Sequence, residues 1–94
     1  MPIRVKLNYV GLLRRAFSVS SEFSDCNEGV SAADLFVQKV RHLPQPTSLE
    51  LLNADGHPSA SILLFINGNQ VEWSAPTTLQ NGDELTLLSP LAGG

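Results

Sequence analysis

The two glycines that end the sequence, Gly93 and Gly94, are the residues most able to take part in chemistry. Two terminal glycines occur by chance in roughly half a percent of chains, given a glycine usage of about 7%. A carboxyl group that enters another protein's active site to become an acyl-adenylate needs a narrow approach, and glycine has no Cβ to obstruct it. We therefore expect the carboxylate of Gly94 to be the reactive group.

The residues before these glycines fit such a role. Pro90 stiffens the exit from the preceding apolar segment, Leu91 offers an apolar anchor, and Ala92 and Gly93 add little bulk. Extended, the five residues 90–94 reach about 17 Å, at roughly 3.3–3.6 Å per residue. A frayed chain end would not explain why this tail carries no polar side chain. We expect a partner to recognise both a docked face and the captured carboxylate.

Other kinds of catalytic or ligand site have no clear signature in the sequence. It has no glycine-rich phosphate loop and no Gly-x-Ser-x-Gly turn. His42 and His57 are far apart in sequence, whereas a metal site usually needs three or four donors. Cys26 is the one cysteine and has no recognisable base beside it. Phe65 and Trp73 are interpreted as core residues. We expect no bound metal or cofactor.

Length and composition limit the function further. The chain has 94 residues, which suits one domain, and 43% of them are hydrophobic. Its net charge is −3, and the six Lys and Arg form no stripe, so nucleic-acid binding is not expected. The N-terminal segment alternates apolar and charged residues, unlike a signal peptide, and no run has membrane-spanning length. The sequence therefore predicts a soluble, cytoplasmic protein without a membrane partner.

The N-terminal half is predicted to form two strands and one long helix. Alternation of apolar and polar residues predicts a strand over Ile3–Tyr9 and a second one over about Ala16–Phe23, followed by a polar turn. Ser31 is placed as an N-cap with Asp34 three residues later, and apolar residues at helical spacing follow. This pattern predicts a helix over about Ala32–His42, which Pro44 ends.

The C-terminal half is predicted to be mostly strand. Residues 44–61 are interpreted as a connector, with a short element at about Leu49–Leu52. A buried strand, apolar on both faces, a short returning strand and a last strand follow: Ile62–Ile66, Val71–Trp73 and Glu84–Ser89. Asn67-Gly68 and Asn81-Gly82-Asp83 are turn signals. Strands flanking a single helix predict an α+β fold, with the helix packed on one face of a mixed sheet.

Three stretches carry a resemblance to a known family. Ile66–Gly68, Leu79–Leu85 and Leu88–Gly94 are similar to the β-grasp sulfur carriers (MoaD/ThiS-like), most of all to the small subunit of molybdopterin synthase. The resemblance spans nearly the whole chain. It implies a ubiquitin-like β-grasp domain over residues 1–89, with four to five strands and one main helix. It also implies a flexible Gly-Gly tail over residues 90–94.

The resemblance also implies a mechanism and partners. An adenylating E1-like enzyme of the MoeB/ThiF type would activate the carboxylate of Gly94 at the expense of ATP. A sulfurtransferase would then supply sulfur to give a thiocarboxylate. The large subunit of molybdopterin synthase would receive the tail and pass the sulfur to a pterin precursor, which becomes the ligand of molybdenum or tungsten. The carrier itself would contribute no catalytic side chain.

The family resemblance implies an apolar patch on the exposed sheet face that contacts both partners. Leu88 matches one patch position and would bind partners together with the tail residues Pro90, Leu91, Ala92 and Gly93. Two further positions are polar here: Asn8 and Gln70. A one-residue shift in the alignment would place each of these side chains on the other face.

Three alternative functions stay open. One is a carrier of the same chemistry that serves thiamine-thiazole, cysteine or tRNA thiolation. Another is a ubiquitin-like modifier that Gly94 joins to a target lysine, because both uses pass through the same acyl-adenylate. The third is a β-grasp interaction module without carrier function.

Overall fold

Five strands and two helices form within residues 2–44, 51–75 and 77–89, which are the residues that the computed structural model describes. In chain order they are β1 (Pro2–Gly11), α1 (Leu12–Phe17), β2 (Ser21–Asn27), α2 (Ala32–Arg41), β3 (Leu63–Ile66), β4 (Asn69–Val71) and β5 (Glu84–Ser89).

The strands form one mixed sheet in the order β2-β1-β5-β3-β4. β1 and β5 are parallel, from Lys6 opposite Glu84 to Gly11 opposite Ser89, and the other neighbouring pairs are antiparallel. β5, the last of the described strands in chain order, therefore lies in the middle of the sheet. The predicted α+β class, a mixed sheet with one main helix on it, is confirmed.

The core lies between α2 and one face of the sheet. Alternate residues of β1 and β5 turn to this face and are buried: Ile3, Val5, Leu7, Tyr9, Leu85 and Leu87. From α2, Leu35, Phe36 and Val40 pack against them. Burial of such side chains stabilises the fold by roughly 1.5–3 kcal/mol each. Because the apolar residues of β1 and β5 alternate with polar ones, only one face of each strand gains this energy, and that face packs against α2.

The predicted cap of α2 is confirmed. The Ser31 hydroxyl oxygen accepts a hydrogen bond from the backbone N–H of Asp34 at 3.1 Å, which satisfies one of the donors left free at a helix start. The helix ends at Arg41, with His42 as its C-cap, one residue before the predicted end.

The predicted strand over Ala16–Phe23 is wrong at its start, because residues 12–17 form the helix α1. Leu13 is completely buried and Phe17 stacks on Tyr9 with ring centroids 4.2 Å apart, and this spacing of four residues places both side chains on the same side of a helix. The polar turn expected after Phe23 is also wrong. β2 continues to Asn27, and Ser24 is buried opposite Val5.

β3 is buried on one face only, whereas the sequence predicted that both faces would be buried. Ile62 and Leu64 are buried, but Leu63 and Phe65, which face away from α2, are only half-buried. The expectations that both faces would be buried and that Phe65 would be a core residue are therefore wrong. Trp73 does pack against the core, and its indole N–H donates a 2.7 Å hydrogen bond to the Ile62 carbonyl oxygen.

The hairpin after β3 is confirmed, with β4 beginning two residues earlier than expected. Asn67 and Gly68 have φ angles of 51° and 87°, as a two-residue type I′ turn requires. The turn therefore pairs Asn69 directly with Ile66. In the connector, Leu51 is buried and Leu52 bridges to Pro58. The first residues of the short element expected there lie outside the described residues.

Candidate functional site

The end of β5 is the part of the described structure that leads to the expected reactive tail. β5 ends at Ser89, which pairs with Gly11 of β1. The tail residues Pro90, Leu91, Ala92, Gly93 and Gly94 lie outside the described residues, so their predicted roles stay predictions. The surroundings of Ser89 define where a partner would meet the tail.

Half-buried apolar side chains surround this end of β5 on the sheet face that α2 leaves open. Leu88 lies between Val10 of β1 and Leu63 of β3, its two register partners. Phe65 follows two residues after Leu63 on the same face, because side chains alternate along a strand. Leu63, Phe65 and Leu88 are half-buried, and Val10 is 37% exposed. We call these four residues the outer apolar patch.

Asn8 and Gln70 lie on the same face as Leu88. Asn8 pairs with Thr86, which pairs with Phe65, which in turn pairs with Gln70. These four residues form one row across the sheet, which shares Phe65 with the outer apolar patch. Asn8 and Gln70 therefore lie on the same face as Leu88, as the ungapped alignment predicts.

A polar network covers the part of this face farther from the tail. The side-chain amide of Asn8 donates to Glu84 Oε2 at 2.6 Å and to Thr86 Oγ1 at 3.3 Å. Toward the β2 edge, Arg4 Nε donates to Asp25 Oδ1 at 2.9 Å. This hydrogen bond raises the pKa of Arg4 and lowers that of Asp25. Both side chains are well exposed, so the pair contributes little to stability.

Cys26, His42 and His57 are not brought into one site. Cys26 lies on β2 opposite Ile3 and packs against the core, and burial raises the pKa of its thiol. Its thiolate fraction at neutral pH is therefore small, as for an unreactive cysteine. Both histidines are exposed. His42 lies at the end of α2, and His57 lies in the connection between α2 and β3. Within the three described ranges, no cluster of His, Cys, Asp and Glu could hold a metal ion.

No helix among the described residues is both long and apolar enough to span a membrane.

Sequence reasoning named Leu88 but missed the other members of the outer apolar patch: Val10, Leu63 and Phe65. Val10 follows the buried Tyr9, and Leu63 and Phe65 lie on either side of the buried Leu64. The alternation was therefore available as a signal, but the face shared by different strands depends on their register, which only the paired sheet gives.

Comparison with known proteins places this geometry among related folds. The family model of the ThiS family matches residues 7–94. This range contains the second half of β1 and all the later elements. No protein of curated function matches the sequence closely enough to count as a relative.

Several solved structures are similar to this one. The solution structure of the Haloferax volcanii HVO 2177 protein has a TM-score of 0.80 at 19% identity, covering 99% of this chain and 88% of that chain. The crystal structure of H. volcanii small archaeal modifier protein 1 has a TM-score of 0.77 at 18% identity, covering 95% and 99%. A proposed molybdopterin converting factor, subunit 1, from Pyrococcus furiosus has a TM-score of 0.70 at 22% identity, covering 95% and 99%. At these identities the likeness shows a shared fold.

Proposed function

The chain belongs to the ThiS family, and from this we propose that it is a sulfur carrier whose Gly94 carboxylate becomes a thiocarboxylate. We propose further that the sulfur is used in molybdopterin synthesis, with this chain as the small synthase subunit. The observation that carries the proposal is the position of β5. This strand runs through the middle of the sheet and ends at Ser89, and the sequence Pro-Leu-Ala-Gly-Gly follows directly.

The proposed chemistry takes place at one carboxylate. An oxygen of the Gly94 carboxylate attacks the α-phosphorus of ATP in an E1-like enzyme, and pyrophosphate leaves. A thiol displaces hydrosulfide from the persulfide of a sulfurtransferase and forms a disulfide with it. The hydrosulfide then attacks the acyl carbon, AMP leaves, and the thiocarboxylate is formed. The adenylate is a good leaving group, so the carrier needs no acid or base of its own. In this proposal the domain contributes binding and the partners contribute catalysis.

The outer apolar patch supports a docking role because it lies at the end of β5, directly before the tail in the chain. Leu88 is one residue from Ser89, and its neighbours Val10 and Leu63 extend the apolar surface to both sides. A partner that covers this patch would hold the tail at a fixed distance from its own active site. We propose that the E1-like enzyme and the large subunit of molybdopterin synthase bind this same face in turn.

Replacing Leu88 by arginine should weaken that docking. We expect Leu88→Arg to lower the rate of thiocarboxylate formation about tenfold at enzyme concentrations below saturation, since one buried apolar contact contributes roughly 1.5–3 kcal/mol. The rate is measured by intact mass spectrometry over time. The matched control is Gln38→Arg, which adds the same charge on exposed α2. Equal rates for the two variants would contradict docking through this patch.

The proposed function is tested by the intact mass of the chain after incubation with an E1-like enzyme, ATP and a sulfur donor. We expect a gain that corresponds to exchange of one carboxyl oxygen for sulfur. The thiocarboxylate form should then convert a pterin precursor to molybdopterin when the large synthase subunit is added. An unchanged mass, with an enzyme proven on another carrier, would contradict carrier function. A thiocarboxylate that the large subunit cannot use would assign the chain to another thiolation pathway.

A second candidate function is protein modification, supported by the fold shared with small archaeal modifier protein 1. In this case the acyl-adenylate is attacked by a lysine amine of a target protein. The last Lys or Arg of the chain is Arg41, so trypsin would leave a long remnant. Cleavage after Leu91 by chymotrypsin would leave Ala92-Gly93-Gly94 on the target lysine. Such remnants in cell digests would support modification, and their absence while thiocarboxylate is detected would favour the carrier alone.

A further inference from the structure

A cavity of about 530 Å³ opens at the β4 side of the sheet. Its walls come from the start of α2, the loop before β3, and the segment from β4 onward. They include Ala33, His57, Ala60, Val71, Glu72 and Trp73. The volume falls within the range of about 300–1,000 Å³ that is typical of ligand pockets. The cavity meets the outer apolar patch at Leu63, but the other three patch residues, Val10, Phe65 and Leu88, do not line it.

Within residues 2–44, 51–75 and 77–89, the strand that borders this cavity is paired on one side only. β4 is the last strand in the sheet order, and β3 is its one partner among these residues. Ile66 and Asn69 flank the two-residue turn and therefore exchange hydrogen bonds with each other. Hydrogen-bonded and non-hydrogen-bonded pairs alternate along an antiparallel ladder. The next pair is Phe65 with Gln70, so the backbone N–H and C=O of Gln70 turn away from β3.

An open strand edge beside an apolar recess is the arrangement that binds an extended peptide. The edge supplies main-chain hydrogen bonds, and the recess accepts a side chain that projects from the added strand. Trp73 gives the recess a large apolar wall, and it is held in place by Phe36, with ring centroids 5.3 Å apart. A small molecule would use the recess but would have no need of the strand edge.

We propose that the cavity beside β4 binds an extended peptide, which adds a strand to β4 at Gln70 and inserts an apolar side chain beside Trp73. The charge of the rim specifies the peptide further. Glu72 is exposed at the rim and forms no ion pair with any other described residue. The peptide therefore carries a basic residue near its apolar anchor.

The test uses the full chain, isotopically labelled, and the acetylated heptapeptide Lys-Thr-Val-Leu-Val-Thr-Lys. Binding is followed by changes in amide chemical shifts. We expect shifts at Ala60, Gln70 and Glu72 and at the indole N–H of Trp73, with a Kd of about 1 mM or below. N-methylation of the central peptide bonds should weaken binding at least tenfold, because it removes the main-chain donors. Replacement of the central leucine by alanine should weaken it similarly.

Two pairs of protein variants locate the site. Ala60→Trp fills the recess and should abolish binding, whereas Ala54→Trp, on the same loop but outside the recess, should not. Glu72→Lys should weaken binding of the basic peptide, whereas Glu28→Lys should leave it unchanged. All four positions are exposed, so these variants should remain folded. Ala60→Trp should also leave thiocarboxylate formation unchanged, which keeps this proposal separate from the carrier function.

Three outcomes would overturn the proposal. Equal affinity for the N-methylated peptide would mean that the recess takes a side chain without strand addition. Self-association of the free protein that Ala60→Trp abolishes would assign the recess to a second copy of the chain. Absence of any shift at about 1 mM peptide would exclude a site of useful affinity.

Discussion

Removal of Gly93 and Gly94 should abolish thiocarboxylate formation and change the free energy of unfolding by less than about 0.5 kcal/mol. The proposed reaction needs the carboxylate at the end of a tail without side chains, and Ala92 would present its carboxylate two residues too early. Among the described residues, Leu85 and Leu87 are the last large buried side chains of β5. Intact mass measures the first effect, and urea unfolding measures the second.

Two further variants separate the position of the carboxylate from the length of the tail. Addition of one serine after Gly94 restores a carboxylate but displaces it by a residue, and it should also abolish the reaction. Gly93→Ala keeps the position and adds one Cβ, and it should slow the reaction without abolishing it. A truncated chain that still gains sulfur would contradict the assignment to Gly94. A truncated chain that unfolds easily would show that the tail also stabilises the domain.

The elements that the sequence predicts correctly are those whose local signals and tertiary environment agree. The boundaries of β5 match because alternating apolar residues follow the turn at Gly82. The start of α2 matches because the Ser31 cap and the apolar stripe indicate the same helix. Ser31 also forms an isolated β-bridge with Thr78. This contact supports the start of α2, which the Ser31 cap already determines.

The second strand could not be placed from the sequence because its local signal is weak. Phe17 and Val19 alternate with serines and suggest a strand, yet Phe17 belongs to α1 and Val19 is 41% exposed. In β2, by contrast, the buried position is a serine, Ser24, and the aromatic Phe23 is 65% exposed. Pairing with β1 therefore determines this edge strand, and local propensity does not.

The candidate sites divide in the same way. The Gly-Gly tail is a linear motif and could be read directly, as could the position of Leu88 next to it. The outer apolar patch combines residues far apart in the chain, such as Val10 and Leu63, which only the central position of β5 brings together. The cavity beside β4 depends on the loop before β3 and on Ala33 of α2, and no sequence pattern links them.

Gly11→Ala should lower the free energy of unfolding by at least about 3 kcal/mol, the sum of backbone strain and an enforced shift of packed strands. Gly11 has φ 73° and ψ −136°, a conformation that essentially only glycine adopts. A Cβ there would also lie well within 3.0 Å of the Ser89 carbonyl oxygen, which is backbone and cannot rotate away. Because Gly11 and Ser89 are the last pair between β1 and β5, the collision displaces the strand end that leads to the tail.

The matched control is Gly29→Ala, where φ is 94° but no described residue beyond its chain neighbours has an atom within 4 Å of the new Cβ. That variant experiences only the strain of a positive φ, which costs about 1–2 kcal/mol. Urea unfolding of both variants measures the difference, which we assign to the contact with Ser89. Gly11→Ala should also slow thiocarboxylate formation under conditions where it stays folded, because Ser89, the residue that precedes the tail, is then shifted. Equal loss of stability in the two variants would show that β1 and β5 can separate at this end without cost, and would remove the reason to regard the tail exit as fixed.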